Sequence, residues 1–303
     1  MTDILIIGAG TAGLTAGIYA ARAGKSATVL ESTVYGGQII NTPDIENYPG
    51  IAHISGFDFA QRLYEQATAL GVKVEYGTVT SIKGAGAEFT VTAAGNKTYA
   101  CRAVILATGA KNRRLGIDRE ELLVGKGISY CATCDGMFFR GKDAAVNGGG
   151  NTALGDALYL AGICRKVYVI HRRDQFRGAE TDVEKLKELG NVEFVLNSTV
   201  TRLNGETKLE SIDVTDKNTR EVRTIPVSAL FVAIGQEPDN GAFADLVKLD
   251  ARGYIAAGED CRTGREGVFA AGDCRTKTLR QLTTAAADGA VAATAACEYI
   301  DRL

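Results

Sequence analysis

Cys131 and Cys134, in the stretch "SYCATCDGMFF", stand one helical turn apart, with Asp135 directly behind them. A pair with that spacing can hold a metal, staple a fold or carry electrons. The chain has seven cysteines, and only these two form a C-x-x-C. Cys101, Cys164, Cys261, Cys274 and Cys297 follow at irregular spacing, a poor disulfide framework, and read as buried or incidental thiols. What the pair does depends on the elements that hold it.

Ahead of it, "DILIIGAGTAGLTAGIYAARAG" runs from an apolar strand through Gly8-x-Gly10-x-x-Gly13 into a helix-compatible stretch. A second strand, "SATVLE", closes at Glu31. Strand, glycine turn, helix, strand and acid together form the dinucleotide fingerprint. The glycines permit a tight turn and a close approach to pyrophosphate. The helix start then offers free N–H groups to the phosphates, and Glu31 can accept from ribose hydroxyls. Behind the cysteines, "AAVNGGGNTALGDALYLAGICRKVYVIHRR" repeats the pattern. Gly148-x-Gly150-x-x-Ala153 opens a second helix through Asn151 and Thr152. The interval from Gly8 to Glu31 recurs from Gly148 to His171. In place of the acid stand His171, Arg172 and Arg173, with Arg177 beyond. An acid repels a 2′-phosphate and guanidinium groups bind one, so the second unit suits NADPH.

Each half closes with a strand leading into glycine, at Thr108-Gly109 and at Gly235. Past the second comes "GVFAAGDCRTKTLRQLTTAAADGAVAATAA", a strand, a Gly272-Asp273 turn and an alanine-rich helix. Too small to bury a core alone, it is expected to return to the first unit. The expected fold is therefore α/β, with two Rossmann-like dinucleotide-binding domains and the second inserted into the first. A discontinuous FAD domain would span 1–112 and 241–303, and an NADPH domain carrying the C-x-x-C would span 113–240. The 303 residues suffice for two domains of roughly 100–200 residues each. Net charge is −2 with no basic block, which argues against nucleic acid as a partner. No apolar run is long enough to span a membrane, and the start shows no leader pattern, so a cytoplasmic location is expected.

With these pieces in view, the chain resembles the bacterial low-molecular-weight NADPH–thioredoxin reductases over essentially its whole length. The matching segments include "GAGTAG", "GGQI", "ENYPG", "ATGA", "CATCDG", "GGGNTA", "HRRDQFR", "VAIG" and "AAGDCRTKTLRQ", in the family's order. The resemblance implies FAD, NADPH, a homodimer and thioredoxin as protein substrate. It puts Gly36, Gly37, Gln38 and Asn47 near the flavin and Asp273 on the ribityl hydroxyls. Arg280 and Gln281 fall at the flavin ring, ahead of a helix whose positive end faces it. It also implies that Cys134 faces the flavin and that Cys131 attacks thioredoxin.

The residues themselves favour the same use of the pair. Structural zinc takes four ligands, and His53 and His171 are the only histidines. A staple across so short a loop gains little, because closure entropy grows with loop length. Redox work needs two close thiols at a strand-to-helix turn beside an acid, and these are present. Asp135 would move protons to and from the thiols; its bland alternative is a helix N-cap.

The implied sequence of events is that NADPH reduces FAD, FAD reduces the Cys131–Cys134 disulfide, and the dithiol reduces thioredoxin. Because dithiol and nicotinamide would ride on one domain, that domain must rotate, with hinges near Lys111–Arg114 and Pro238–Gly241. The chain departs from the family pattern at Asn147, at Gly155, and in "FRGAE". Gly155 lies near the expected nicotinamide, which keeps a second donor such as ferredoxin in view. A non-catalytic flavoprotein redox sensor is the rival from another class, and it would not need a dithiol beside a flavin.

Overall fold

The structure is a computed structural model that describes residues 1–42, 44–86 and 88–303. It divides into two compact units, one made of Met1–Lys111 and Glu237–Leu303, the other of Asn112–Gln236.

In the first unit, continuous buried runs at 4–7, 27–30 and 103–106, apolar but for Thr28, build a parallel sheet with strands in the order Lys73–Tyr76, Ala27–Glu31, Thr2–Ile7 and Lys97–Leu106. The first strand lies centrally, with Ile4 opposite both Ala27 and Ala103. The ten-residue strand Lys97–Leu106 does two jobs. Its first half pairs antiparallel with Glu88–Ala93, and its end pairs parallel with Val268–Ala270. The late segment of the chain thus joins the sheet of its beginning. Chain order reverses direction beside Thr2–Ile7, at the crevice where open α/β sheets bind nucleotides.

Helices Thr11–Arg22 and Leu282–Asp301 cover one face. Both are rich in alanine and glycine, so their backbones approach closely. A methyl group on Gly289 would sit 2.3 Å from the Ala12 carbonyl oxygen. The other face buries Leu5, Leu30, Phe89, Val91 and Leu106. Asn240, only 1% exposed, ties the returning segment in place. It accepts from Thr108 Oγ1 at 2.8 Å and donates to the carbonyls of Gly253 and Cys274, both at 2.9 Å. Those bonds seat Asn240 within the first unit, so the chain passes between units at residues 236–237 rather than at 240–241.

The second unit repeats the plan on a smaller scale. Its parallel strands run in the order Val192–Val195, Lys166–Ile170, Asp143–Gly148, Ala229–Ala233 and Ile128–Ser129. Helices Asn151–Ala161 and Glu180–Glu188 pack with Phe231, Val146 and Val169 on one side. An antiparallel sheet of Ser198–Asn204, Ser211–Asp216 and Val222–Pro226 covers the other. The fold is α/β with a Rossmann-like unit built twice.

Candidate active site

The first glycine turn has the geometry its spacing predicts. Gly8 has φ +106°, and a Cβ there would lie 2.3 Å from the Ala107 carbonyl oxygen. At Gly13 a Cβ would lie 1.8 Å from the Gly8 oxygen, so turn and helix could not close together. Gly10 differs: a Cβ there would meet only the Gly36 oxygen, at 4.0 Å. That open side lies at the start of Thr11–Arg22, where no side chain caps the free N–H groups. Gly36 is held beside this turn by its N–H bond to the Ala9 carbonyl (2.7 Å), and Gly37 follows with φ +67°. Glu31, 8% exposed, accepts from Ala9 N at 2.8 Å through Oε2 and from Thr33 N at 2.9 Å through Oε1. It therefore braces the turn, and its remaining lone pairs can still accept ribose hydroxyls.

The residues expected near the flavin, from both the early and the late segments, lie in the same unit. Asn47 Nδ2 donates to Gln281 Oε1 at 3.2 Å, and Gln281 N donates to Thr284 Oγ1 as part of a capping box that starts Leu282–Asp301. Gln38 donates to the Ala110 carbonyl. Arg280 lies over the Tyr254 ring at 4.1 Å and donates to the carbonyls of Lys277 and Arg275, so it organises its loop. Thr108 spends its hydroxyl proton on Asn240, and Gly109 turns at φ +69°. Gly272 turns at φ +83° and donates its N–H to Asp288 Oδ2 at 2.9 Å.

Asp273, next to that glycine, has a buried Oδ1 with no hydrogen-bond partner. Burial pushes its carboxyl above the usual range, with Lys277 and Arg280 pulling it back. An orphaned buried acceptor asks for a donor. A flavin's ribityl hydroxyls are such donors, so these residues fit the flavin adenine dinucleotide.

The second turn is built alike. A Cβ on Gly148 would lie 2.4 Å from the Ala233 oxygen, whereas Gly150 opens onto nothing within 4 Å at the uncapped start of Asn151–Ala161. The basic loop folds back onto this turn: Arg177 N donates to the Gly149 oxygen at 2.7 Å, and Ala179 N donates to Asn151 Oδ1 at 2.8 Å. Thr152 is exposed beside it, as are Arg172, Arg173 and Arg177. Among the described residues none of these guanidinium groups is ion-paired, which fits a phosphate.

His171 is placed differently. It is 5% exposed, stacks on Phe176 with centroids 5.1 Å apart, and bonds the Gln175 oxygen through Nε2. Burial, then the neighbouring arginines, lower its pKa. A Cβ on Gly149 would collide with its ring at 2.2 Å, so His171 supports the turn from beneath. Asn147 and Gly155 make no comparable demand; a Cβ on Gly155 meets no atom within 4 Å.

Cys131 and Cys134 form a disulfide with Cα atoms 5.3 Å apart. The strand Ile128–Ser129 delivers the chain to the short helix Ala132–Asp135, and both cysteines are partly exposed. The five other cysteines are buried and free. Cys131 occupies the N-cap position of this helix; Asp135 closes it and stands at the N-cap of the 3-10 turn Gly136–Phe139, where its side chain makes no cap hydrogen bond, so the capping alternative for Asp135 falls away. Its carboxylate instead accepts from Ser129 Oγ at 2.6 Å through Oδ2, while Oδ1 is buried without a partner. Burial raises its pKa, and the Ser129 bond opposes the rise. A carboxyl whose pKa burial raises, placed next to a disulfide, can exchange protons with the thiols that appear on reduction.

Sequence spacing did not disclose Ser129, Asn240 or Asp288, whose partners are set by the fold. Nor did it disclose a grouping of Asp44, Glu46 and exposed His53, whose ligand atoms lie within 4.8 Å of one another. The Asp44 hydrogen bond there raises the pKa of His53. No helix of the described residues is long and apolar enough to cross a membrane.

Two nucleotide cradles and an accessible cysteine pair define an oxidoreductase that works on disulfides. The chain belongs to the pyridine nucleotide-disulphide oxidoreductase family, whose model matches residues 2–289. Membership implies a flavin and a pyridine nucleotide as cofactors. A curated thioredoxin reductase from Treponema pallidum (strain Nichols) is 43% identical over 302 residues, covering 99% of this chain and 98% of the relative. One from Bacillus subtilis (strain 168) is 39% identical, covering 99% and 95%. The crystal structure of thioredoxin reductase from Streptococcus pyogenes MGAS5005 superposes with TM-score 0.94 at 40% identity, covering 100% of this chain and 99% of that one.

Proposed function

We propose that the chain is an NADPH-dependent thioredoxin-disulfide reductase, with FAD in the unit that begins and ends the chain and NADPH in the unit between. When bound, the flavin supplies a two-electron connection between the nicotinamide and the Cys131–Cys134 disulfide. The observation that carries the reading is that an oxidised, partly exposed C-x-x-C with a half-satisfied acid sits in the same unit as a phosphate cradle carrying unpaired arginines.

Gly10, Gly36 and the start of Thr11–Arg22 bind the first pyrophosphate, Glu31 its ribose, and Asp273 the ribityl chain. Gly150, Asn151 and Thr152 bind the second, with Arg172, Arg173 and Arg177 around the 2′-phosphate. In the reduced state, Cys131 as thiolate attacks one sulfur of the thioredoxin disulfide and releases the other as a thiol. Cys134 then attacks Cys131 in that mixed disulfide. The Cys131–Cys134 bond re-forms, and thioredoxin leaves with two electrons and two protons. Asp135 takes the proton from the attacking thiol and returns it to the departing one. Because dithiol and nicotinamide site share a unit, that unit rotates between half-reactions about the two crossings, at 111–112 and 236–237.

We further read the protein as a cytoplasmic homodimer, in line with the resemblance. Comparing NADPH, NADH and reduced ferredoxin as donors to one thioredoxin tests the reading. NADPH is expected to be preferred, and turnover supported by ferredoxin alone would replace it with the alternative donor.

A further inference from the structure

Ser129 is 4% exposed at the end of its strand, two residues before Cys131. Its hydroxyl touches both ends of the C-x-x-C-D segment. It accepts the Cys131 N–H at 3.1 Å, lies 3.3 Å from the Cys131 carbonyl oxygen, and reaches Asp135 Oδ2 at 2.6 Å. A serine hydroxyl has one proton to give. The shorter contact, to an ionisable acceptor, claims it, because charge-assisted bonds are the stronger ones. Asp135 is thereby made asymmetric. Oδ2 is held by a donor, and Oδ1 is buried with no partner.

We infer that Ser129 is a positioning residue for thiol–disulfide exchange: by holding Oδ2 it fixes the Asp135 carboxylate and leaves Oδ1 as the oxygen that takes and returns the dithiol proton. The inference rests on the reading of Asp135 as the acid–base group. Proton balance is simple. Oδ1 gains the proton that the attacking thiol loses, and loses it to the thiolate released from the partner disulfide.

A second consequence follows from the same bond. A donor on Oδ2 stabilises the ionised carboxyl against burial, so without it Asp135 ionises at higher pH. The groups around it introduce no competing charge partner of comparable reach. The helix packed against it carries Asp156 and Tyr159, and its own segment carries Tyr130 and the cysteines. Burial raises its pKa, and the Ser129 bond opposes the rise.

The test is the pH dependence with which the dithiothreitol-reduced, flavin-loaded protein re-forms its Cys131–Cys134 disulfide against oxidised glutathione. This readout needs neither NADPH nor thioredoxin. Ser129→Ala is expected to move the acid limb to higher pH and to slow the reaction there about tenfold, the size of a lost bond to a charged group. Ser129→Thr restores the wild-type profile, and Ser129→Val, of the same shape without the hydroxyl, matches Ser129→Ala; this pair serves if the alanine variant folds poorly. Ser129→Ala added to Asp135→Asn costs nothing more. An unmoved acid limb in Ser129→Ala and Ser129→Val, or an equal cost of Ser129→Ala in both backgrounds, overturns the inference. If Asp135→Asn itself leaves the rate unchanged, the reading of Asp135 falls as well, and the two failures are told apart by that single variant.

Discussion

Asp288 and Arg275 form a buried two-point ion pair, with Nε to Oδ2 at 2.8 Å and Nη2 to Oδ1 at 2.7 Å, and Arg275 is 1% exposed. Lys277 adds a third donor at 2.9 Å, and the same carboxylate takes the Gly272 amide. The pair thus fixes the turn that presents Asp273. Burial works against the charge on Asp288, but the bonds from Arg275 and Lys277 hold its carboxyl below the usual range. Its stabilising effect is therefore present above the ordinary carboxylate pKa and lost as pH falls through the depressed one. Asp288→Ala leaves buried Arg275 with only the exposed Glu259 carboxylate, at 3.3 Å, as ion partner, and is expected to cost about 3–5 kcal/mol in urea unfolding and to release flavin. A variant within 1 kcal/mol or so of wild type would remove the pair from this role.

The unpaired arginines predict a cofactor preference. Arg172→Ala with Arg173→Ala should raise KM for NADPH about 10- to 100-fold, the value of bonds to a charged phosphate, and leave KM for NADH unchanged. Equal losses with both nucleotides would mean that these side chains support the fold and not the 2′-phosphate.

Burial alone pushes the Asp156 carboxyl, on Asn151–Ala161, up to about 7 from 3.8. Between those values the unfolded chain is ionised and the native protein is not, so this residue lowers stability as pH rises and has its full cost above about 7. Asp156→Asn should leave Tm nearly unchanged at pH about 4 and raise it at pH about 8, by at most about 4 kcal/mol of stability. Thermal scans at both pH values check this; a gain independent of pH would contradict it.

Gly155 lies in mid-helix with open space at its Cβ. Gly155→Ala is expected to add about 0.5–1 kcal/mol in denaturant unfolding. If the same variant also raises KM for NADPH, the open space belongs to the nucleotide rather than to solvent.

What could be read beforehand follows from how local each feature is. Gly8, Gly10 and Gly13 write a turn whose sterics involve neighbours a few residues away, so spacing alone disclosed the cradle and its repeat at Gly148. The redox pair was legible for the same reason. Ser129, Asn240 and Asp288 act on partners brought together by sheet and helix packing, and a lone serine or asparagine carries no spacing signal. His171 shows the middle case. Its place at the end of a strand was evident, but its packing beneath Gly149 depends on how the 171–179 loop folds back. The helix Ala132–Asp135 has its N-cap at Cys131, and Asp135 heads the 3-10 turn Gly136–Phe139 without a side-chain cap bond; only the folded chain shows which of these two turns its carboxyl leaves uncapped.

The most direct test of the account is thioredoxin reduction by NADPH with Cys134→Ser. NADPH is expected to bleach the bound flavin as in wild type, while thioredoxin reduction falls to background. Thioredoxin reduced by that variant at the wild-type rate would contradict the claim that electrons leave through the Cys131–Cys134 pair.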